Sequence, residues 1–419
     1  MPASSPSTIL VLFGATGDLA RSKLLPALRE LWIDGKLPRN LQLLSVGRQK
    51  ISTAEYVTQL ASAKTHPFPH DLSMLQLEYL SLDFADAEGF SKLIKYIRRH
   101  PGTKVLFYMA VAPEVLHTCI DQFSQPTFRE FVQEYEIGIV VEKPFGMDLT
   151  DAQDLNRKLT SIFGIRNIYR NDHYLFKNGV QEILATRNTD PQLEELLNGA
   201  KLFQIQILVA EKDDLVDRAA YFDGRGMTVD WLQSHILQML AVVCADKDTD
   251  DFRLCKADFI DSLKLIPKSL IRAQYAGYAD LPNVDPARKS ETFLAVQFTS
   301  ELRKWQDVSF SLIAAKAVDE KQVTITLKFR QPHAKFGLEI ELTIEPEPQD
   351  AALDGHATTL VKALHQEWES FVSQPEVEAQ WRVTAQVQAK LSQTPLEHYT
   401  KGTSYRHFCT ENWCLQITE

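Results

Sequence analysis

The sequence predicts an α/β fold: a doubly wound parallel sheet at the N-terminus, then an α+β domain with a largely antiparallel sheet. Three observations predict it. In the N-terminal part, β-rich apolar runs alternate with stretches of helical periodicity, the pattern of parallel strands joined by crossover helices. From about Leu202 the character changes to strand-like runs, several of them alternating polar with apolar residues. A chain of 419 residues, 44% hydrophobic and 24% charged, is also long enough for two domains and a large core.

Each element can be read in order. Thr8 to Phe13 is the first strand, ended by Gly14-Ala15-Thr16-Gly17-Asp18-Leu19-Ala20. Leu24, Leu25, Ala27, Leu28 and Leu31 then keep helical spacing until Gly35. Leu41 to Val46, Lys104 to Met109 and Ile137 to Val141 read as further strands with helical patterns between them. In the second part, Phe203 to Val209, Phe293 to Phe298, Val308 to Ile313 and Val323 to Phe329 read as strands. The boundary is expected near Lys177, giving a domain of residues 1–177, of Rossmann type, and one of 178–419. That boundary would set the cluster around Asp172 in a cleft between domains, a usual place for ligands.

Composition excludes several classes. The net charge of −10 is spread without long acidic or basic runs, so no nucleic-acid or membrane surface is expected. An anionic substrate would therefore have to be met by local cations. No apolar run approaches the roughly 20 residues of a membrane span. Met1-Pro2-Ala3-Ser4-Ser5 lacks the basic and apolar regions of a signal peptide. Cys119, Cys244, Cys255, Cys409 and Cys414 are odd in number and scattered, which reads as free thiols in a reducing compartment. The expected location is the cytoplasm. No metal is expected: groupings such as His407 with Cys409 lack partners at ligand spacing.

The loop Gly14-x-x-Gly17-x-x-Ala20, between a strand and a helix, has the form of a dinucleotide loop without the full three-glycine fingerprint. Glycine lets backbone N–H groups approach a pyrophosphate at a helix N-terminus, although glycines also simply turn a chain. Candidate contacts are Gly14, Thr16, Gly17, Asp18 and Leu19. The second strand ends in Val46-Gly47-Arg48-Gln49-Lys50, with no acid to accept from a ribose 2′-hydroxyl. Arg48 and Lys50 suit a 2′-phosphate, or are an exposed basic turn. NADP is expected over NAD, with NAD use left open.

The densest chemistry lies in Arg170-Asn171-Asp172-His173-Tyr174-Leu175-Phe176-Lys177, which sets a carboxylate, an imidazole, a phenol and an ammonium side by side. Such a set suits a bound phosphate and a proton relay better than a core. A second histidine, His235, lies in Asp230-Trp231-Leu232-Gln233-Ser234-His235-Ile236-Leu237-Gln238. Taken singly, His235 reads as a polar cap on an amphipathic helix and Asp172 as a helix N-cap. Taking a proton from a hydroxyl needs a base near neutral pKa with a carboxylate to fix its tautomer, and this pair has the right types.

With Gly14 to Ala20, Glu142-Lys143-Pro144-Phe145-Gly146 and Asp172-His173-Tyr174 in that order, the chain resembles the glucose-6-phosphate dehydrogenase family. The match continues through Arg218-x-x-Tyr221-Phe222-Asp223, Asp230 to Gln238 and Ala315-Lys316-Ala317, and weakly to Glu376 to Trp381. It covers residue 8 to about residue 330; Glu-Lys-Pro alone also occurs in other sugar oxidoreductases. The resemblance implies His235 as base with Asp172 as its partner. It implies His173, Tyr174 and Lys177 as phosphate contacts, joined by Lys316 and Lys321. Lys23 and Lys143 correspond to lysines near the sugar and nicotinamide. Glu211 and Asp230 correspond to carboxylates accepting from sugar hydroxyls, their other reading being an exposed strand end and a helix cap. The Lys143-Pro144 bond is expected to be cis.

The resemblance further implies a sugar-phosphate substrate, oxidation of β-D-glucose 6-phosphate to 6-phospho-D-glucono-1,5-lactone, and a place in the pentose phosphate pathway. Assembly as a homodimer or homotetramer is expected. The departures are Ser234 in place of the usual Asn, and Phe176 and Asn178 around Lys177, where Phe176 would add bulk beside the phosphate. Gln322 and Thr326 replace basic residues that hold a second, structural NADP in vertebrate members, so that second site is expected to be absent. The competing readings are a dehydrogenase of another aldose 6-phosphate or of an unphosphorylated sugar, and a silent sugar-phosphate sensor. The cation set weighs against the unphosphorylated sugar. The presence of both Asp172 and His235 weighs against the sensor.

Overall fold

The computed structural model describes residues 8–62, 76–100, 103–247, 251–345 and 355–408. The chain forms two compact units: Met1–Phe176 with Ala351–Ser373, and Lys177–Asp350 with Gln374–Glu419.

In the first unit the strands are β1 (Thr8–Phe13), β2 (Leu41–Gly47), β3 (Leu77–Ser81), β4 (Lys104–Met109), β5 (Glu136–Glu142) and β6 (Ile168–Asn171). They form one sheet in the order β3-β2-β1-β4-β5-β6, all parallel. This is the strand order of a doubly wound dinucleotide fold. The four strands expected here are present. β1 is central, paired to β2 and β4, and all six of its residues are buried. A strand covered on both faces reads as a continuous apolar run, which is why β1 and β4 are legible in the sequence.

Sequence reading missed β3 and β6. β3 is short and at the sheet edge. β6 reads Ile-Tyr-Arg-Asn, yet all four residues are buried. Its Arg170 donates from Nε to Asn156 Oδ1 at 3.0 Å and lies over the Phe145 ring at 5.0 Å. A buried guanidinium with partners behaves as part of the core, whereas as a letter it reads as surface. The crossover helices follow amphipathic rules. In Ala87–Arg98, Phe90, Leu93, Ile94 and Ile97 form one buried stripe, and Asp86 caps the start by accepting from the Glu88 and Gly89 N–H groups. Phe13, Phe107, Phe123, Phe128 and Phe163 stack and edge together between sheet and helices.

The second unit holds an eight-stranded sheet: β7 (Leu202–Ala210), β8 (Leu263–Leu265), β9 (Ile271–Tyr275), β10 (Phe293–Ser300), β11 (Ser309–Ala315), β12 (Gln322–His333), β13 (Gly337–Glu345) and β14 (Leu396–Tyr399). Its main path is β13-β12-β7-β11-β10-β9-β14, with β8 beside β10. Pairing is antiparallel except for β7 with β11 and β9 with β14. The strand expected at Val308 to Ile313 runs instead from Ser309 to Ala315, ending where Lys316 leaves the sheet. Helix Gln374–Leu391 packs on the helix Phe252–Asp261. A buried ion pair, Lys256 Nζ to Glu376 at 2.6 Å, joins those two helices, and the same ammonium donates to Gln238 Oε1 at 3.1 Å.

Cys119 and Cys244 are buried and Cys255 is half-buried, all three as free thiols; Cys409 and Cys414 lie outside the described residues. Burial pushes the Cys119 thiol up to about 12, which makes it inert as a nucleophile. Among the described residues no helix is long and apolar enough to cross a membrane.

Candidate active site

A parallel sheet sends the C-terminal ends of all its strands to one edge, and in the first unit that edge collects the expected residues. β1 delivers the loop Gly14 to Asp18, β2 delivers Arg48, β5 delivers Glu142 and Lys143, and β6 delivers Asp172 and His173.

Gly14 has φ of +75°, and a Cβ there would stand 2.2 Å from the carbonyl oxygen of Ala110. Only glycine fits. Gly17 N–H donates to Gly14 O at 2.8 Å, closing a tight turn, and Ala15 N–H donates to Val46 O at 3.1 Å, tying the loop to β2. Gly17 and Asp18 are exposed, and no side chain caps the helical run that starts at Ala20 and continues through Leu25–Ile33. An exposed tight turn leading into an uncapped helix start is the donor set a pyrophosphate requires, so the residues fit a dinucleotide. Arg48 is exposed at the end of β2 and makes no ion pair with a described residue, whereas Lys23 is exposed on the helical run.

At the far end of that edge, Glu142 accepts from Tyr108 Oη at 2.5 Å and from Asn171 Nδ2 at 2.8 Å. Asn171 is fixed in turn by Thr359 Oγ1 at 2.8 Å. This holds Lys143, whose bond to Pro144 is cis. Asp172 is 3% exposed and accepts the Tyr174 N–H at 3.1 Å. His173 is half-buried and stacks on His356, ring centres 4.6 Å apart. Gly355 allows that approach, since a Cβ there would lie 2.3 Å from His173 O. The Phe176 ring is buried and packs edge-on against Phe371 at 5.5 Å.

The second unit carries the other group. β7 and β11 run parallel in register, Ala210 opposite Ala315, so the residues that follow them leave the sheet side by side. Those residues are Glu211 and Lys316. The Lys316 ammonium, 4% exposed, pairs with Glu211 Oε2 and stands 3.8 Å from Asp230 Oδ2. Trp231 Nε1 donates to Glu211 Oε2 at 3.0 Å, and the Trp231 ring meets His235 edge-on at 5.2 Å. Asp230, Trp231 and His235 lie on Thr228–Ile236, a π-helix with every residue buried. The alternative reading of His235 as a polar cap on an amphipathic helix thus gives way to a fully buried stretch of the wider helix that recurs at functional sites. Lys177 opens the unit as the residue before helix Asn178–Thr189, and Lys321 is exposed ahead of β12.

The structure therefore gathers Glu211, Asp230, His235 and Lys316 in one unit, and the loop, Arg48, Lys143, Asp172, His173 and Tyr174 at one edge of the other. Sequence reading passed over Trp231, which touches Glu211 and His235, and Tyr108, Asn171 and His356, which brace the first unit's edge. It also passed over Gln380, whose Nε2 donates to Ser234 O at 3.2 Å. Ser234 Oγ is buried with no hydrogen-bond partner among the described residues. Trp231, Asn171 and Gln380 lay inside motifs singled out in the sequence without a role of their own; Tyr108 and His356 carried no local signal.

The parallel sheet with its glycine turn, together with a second unit bearing a buried histidine and an ion cluster, defines a nicotinamide-dinucleotide-dependent oxidoreductase. The chain matches the family model of the glucose-6-phosphate dehydrogenase NAD-binding domain over residues 11–182, and that of the C-terminal domain over 184–351. It is 30% identical over 382 residues to the glucose-6-phosphate 1-dehydrogenase of Treponema pallidum, covering 81% of this chain and 74% of that protein. The Helicobacter pylori enzyme of the same name is 29% identical, covering 89% and 90%. The crystal structure of the Mycobacterium avium glucose-6-phosphate 1-dehydrogenase superposes with a TM-score of 0.82 at 26% identity, over 96% of this chain and 95% of that one. The chain belongs to the glucose-6-phosphate dehydrogenase family.

Proposed function

We propose that this enzyme oxidises β-D-glucose 6-phosphate at C1 to 6-phospho-D-glucono-1,5-lactone, with NADP preferred over NAD. The observation that carries the reading is the group of buried Lys316, Asp230 and Trp231 with half-buried Glu211, beside His235. Carboxylates held by an ammonium accept from sugar hydroxyls, and an ammonium with a free N–H still donates. His235 takes the proton from the C1 hydroxyl as the C1–H bond gives up hydride and C1=O forms. The bound dinucleotide supplies the nicotinamide ring that accepts the hydride. The loop Gly14 to Leu19 holds the pyrophosphate, and Lys143 and Lys23 orient sugar and nicotinamide. Asp172 is the carboxylate that keeps His235 in the base tautomer. His173, Tyr174, Lys177 and Lys321 hold the phosphate, with Lys316 serving chiefly the hydroxyl side because its two carboxylates engage it. The enzyme works as a homodimer or homotetramer in the cytoplasm, within the pentose phosphate pathway.

The test is a substrate panel of glucose 6-phosphate, other aldose 6-phosphates and free glucose, with NADP and NAD, followed by reduced-cofactor absorbance. Preferred use of glucose 6-phosphate is expected; equal use of glucose would overturn the phosphate assignment. Two variants refine it. Arg48→Ala should weaken NADP far more than NAD, because only NADP carries the 2′-phosphate that an exposed arginine at the end of β2 would meet; equal losses would remove Arg48 from that role. Lys177→Ala should raise KM for glucose 6-phosphate about tenfold or more, since a charge-assisted contact is worth roughly 1.5–3 kcal/mol. Any use of free glucose should barely change, as that substrate lacks the phosphate.

A further inference from the structure

Glu291 stands outside every motif used above, and it is a fully buried carboxylate, 3% exposed. Its Oε1 accepts from the Thr228 backbone N–H at 2.9 Å and from Thr228 Oγ1 at 2.6 Å. Its own carbonyl accepts from Met227 N–H at 3.1 Å. The π-helix Thr228–Ile236 has no cap from its own N-cap residue, Met227, so Glu291 supplies the cap from elsewhere in the chain. Gly226, with φ of +61°, makes the approach possible: a Cβ there would lie 2.3 Å from the Glu291 carboxylate. Burial pushes the Glu291 carboxyl up from its ordinary range while the Thr228 hydrogen bonds pull it down.

The next residue reaches the other side of the cluster. Thr292 O accepts the Lys316 N–H at 2.9 Å. Tyr399 Oη lies 2.9 Å from Thr292 Oγ1 and donates to Lys316 O at 2.7 Å. Two consecutive residues thus grip both the start of the helix that carries Asp230 and His235 and the backbone of Lys316. We infer that Glu291-Thr292, braced by Tyr399, is a positioning strut that sets the spacing between Lys316 and the π-helix, with Glu291 acting on turnover through the helix and not by touching substrate.

This inference rests on the proposed reaction, and the experiment separates the two. Kinetics of glucose 6-phosphate oxidation, NADP binding by fluorescence and melting temperature are measured for wild type and for Glu291→Ala, Glu291→Gln and Thr228→Val. Gln keeps the acceptor for both Thr228 donors, so it should restore most of the turnover. Ala strands two buried donors and should lower kcat roughly tenfold or more while leaving NADP affinity within about twofold. Thr228→Val removes one donor and should fall between. If Glu291→Ala does not fold, Thr228→Val carries the test: a lower kcat supports the strut, and an unchanged kcat overturns it. Folded Glu291→Ala with wild-type kcat, or Glu291→Gln as damaged as Ala, overturns it as well. A wild type that does not oxidise glucose 6-phosphate would instead sink the proposed reaction, before any variant is compared.

Discussion

His235→Asn is expected to lower kcat by at least about 10²–10⁴-fold, the span attributable to a positioned general base. The size follows from where the side chain sits. His235 is 2% exposed on a buried π-helix and edge-on to Trp231, so bulk water is poorly placed to replace it. Asn is smaller and loses the edge-on ring contact with Trp231, but it retains polar atoms, so the fold should survive with a modest fall in melting temperature. KM for the sugar phosphate and NADP affinity should change much less than kcat, because a base acts on the transition state. Asp172→Asn should also lower kcat. If Asp172 works through His235, the double variant should lose hardly more than His235→Asn alone. A folded His235→Asn enzyme with near-normal turnover would remove His235 from the mechanism, and additive losses would separate Asp172 from it.

Lys316→Met is the second change of large expected effect, and it acts on stability and catalysis together. The ammonium is 4% exposed, pairs with Glu211 and stands 3.8 Å from Asp230. Removing one partner of a buried ion group strands the others, at roughly 3–5 kcal/mol where burial is complete. Glu211 is part-exposed and keeps its bond from Trp231, so a loss of about 1–3 kcal/mol is the better figure here. The backbone at Lys316 is held by Thr292 and Tyr399 whatever the side chain, so the fold should survive. A charge-assisted contact of roughly 1.5–3 kcal/mol corresponds to a fall in kcat/KM of about 10- to 150-fold. Thermal melting and steady-state kinetics check the two parts. An unchanged melting temperature would show the ion cluster to be without structural weight; unchanged kcat/KM would take Lys316 out of the substrate site.

Legibility in the sequence followed burial. β1 and β4 were plain because strands covered on both faces are continuous apolar runs. β6 was hidden because its core contribution comes from Arg170 and Asn171, whose partners Asn156, Phe145 and Glu142 are remote in sequence. The expected Val308 to Ile313 strand ran on to Ala315 because pairing with β7, not side-chain pattern, fixed where β11 ended. The candidate residues were found by motif, and a motif names residues without placing them.

By itself, the sequence determined the doubly wound first unit and the largely antiparallel second one, through periodicity that local sterics and burial impose on any chain. It also determined the glycine turn after β1, and, by resemblance, which histidine, carboxylates and lysines to examine. Only the tertiary structure decided that Glu211 and Lys316 meet, because parallel β7 and β11 in register release them at adjacent positions. It decided that His235 lies on a buried π-helix, since helix type depends on packing on every side and on a distant carboxylate at its start. It also returned 351–373 to the first unit, where Gly355 and His356 close on His173. Contacts between residues far apart in the chain depend on which strands pair; a strand's own pattern fixes the face it buries but does not name the distant strand beside it.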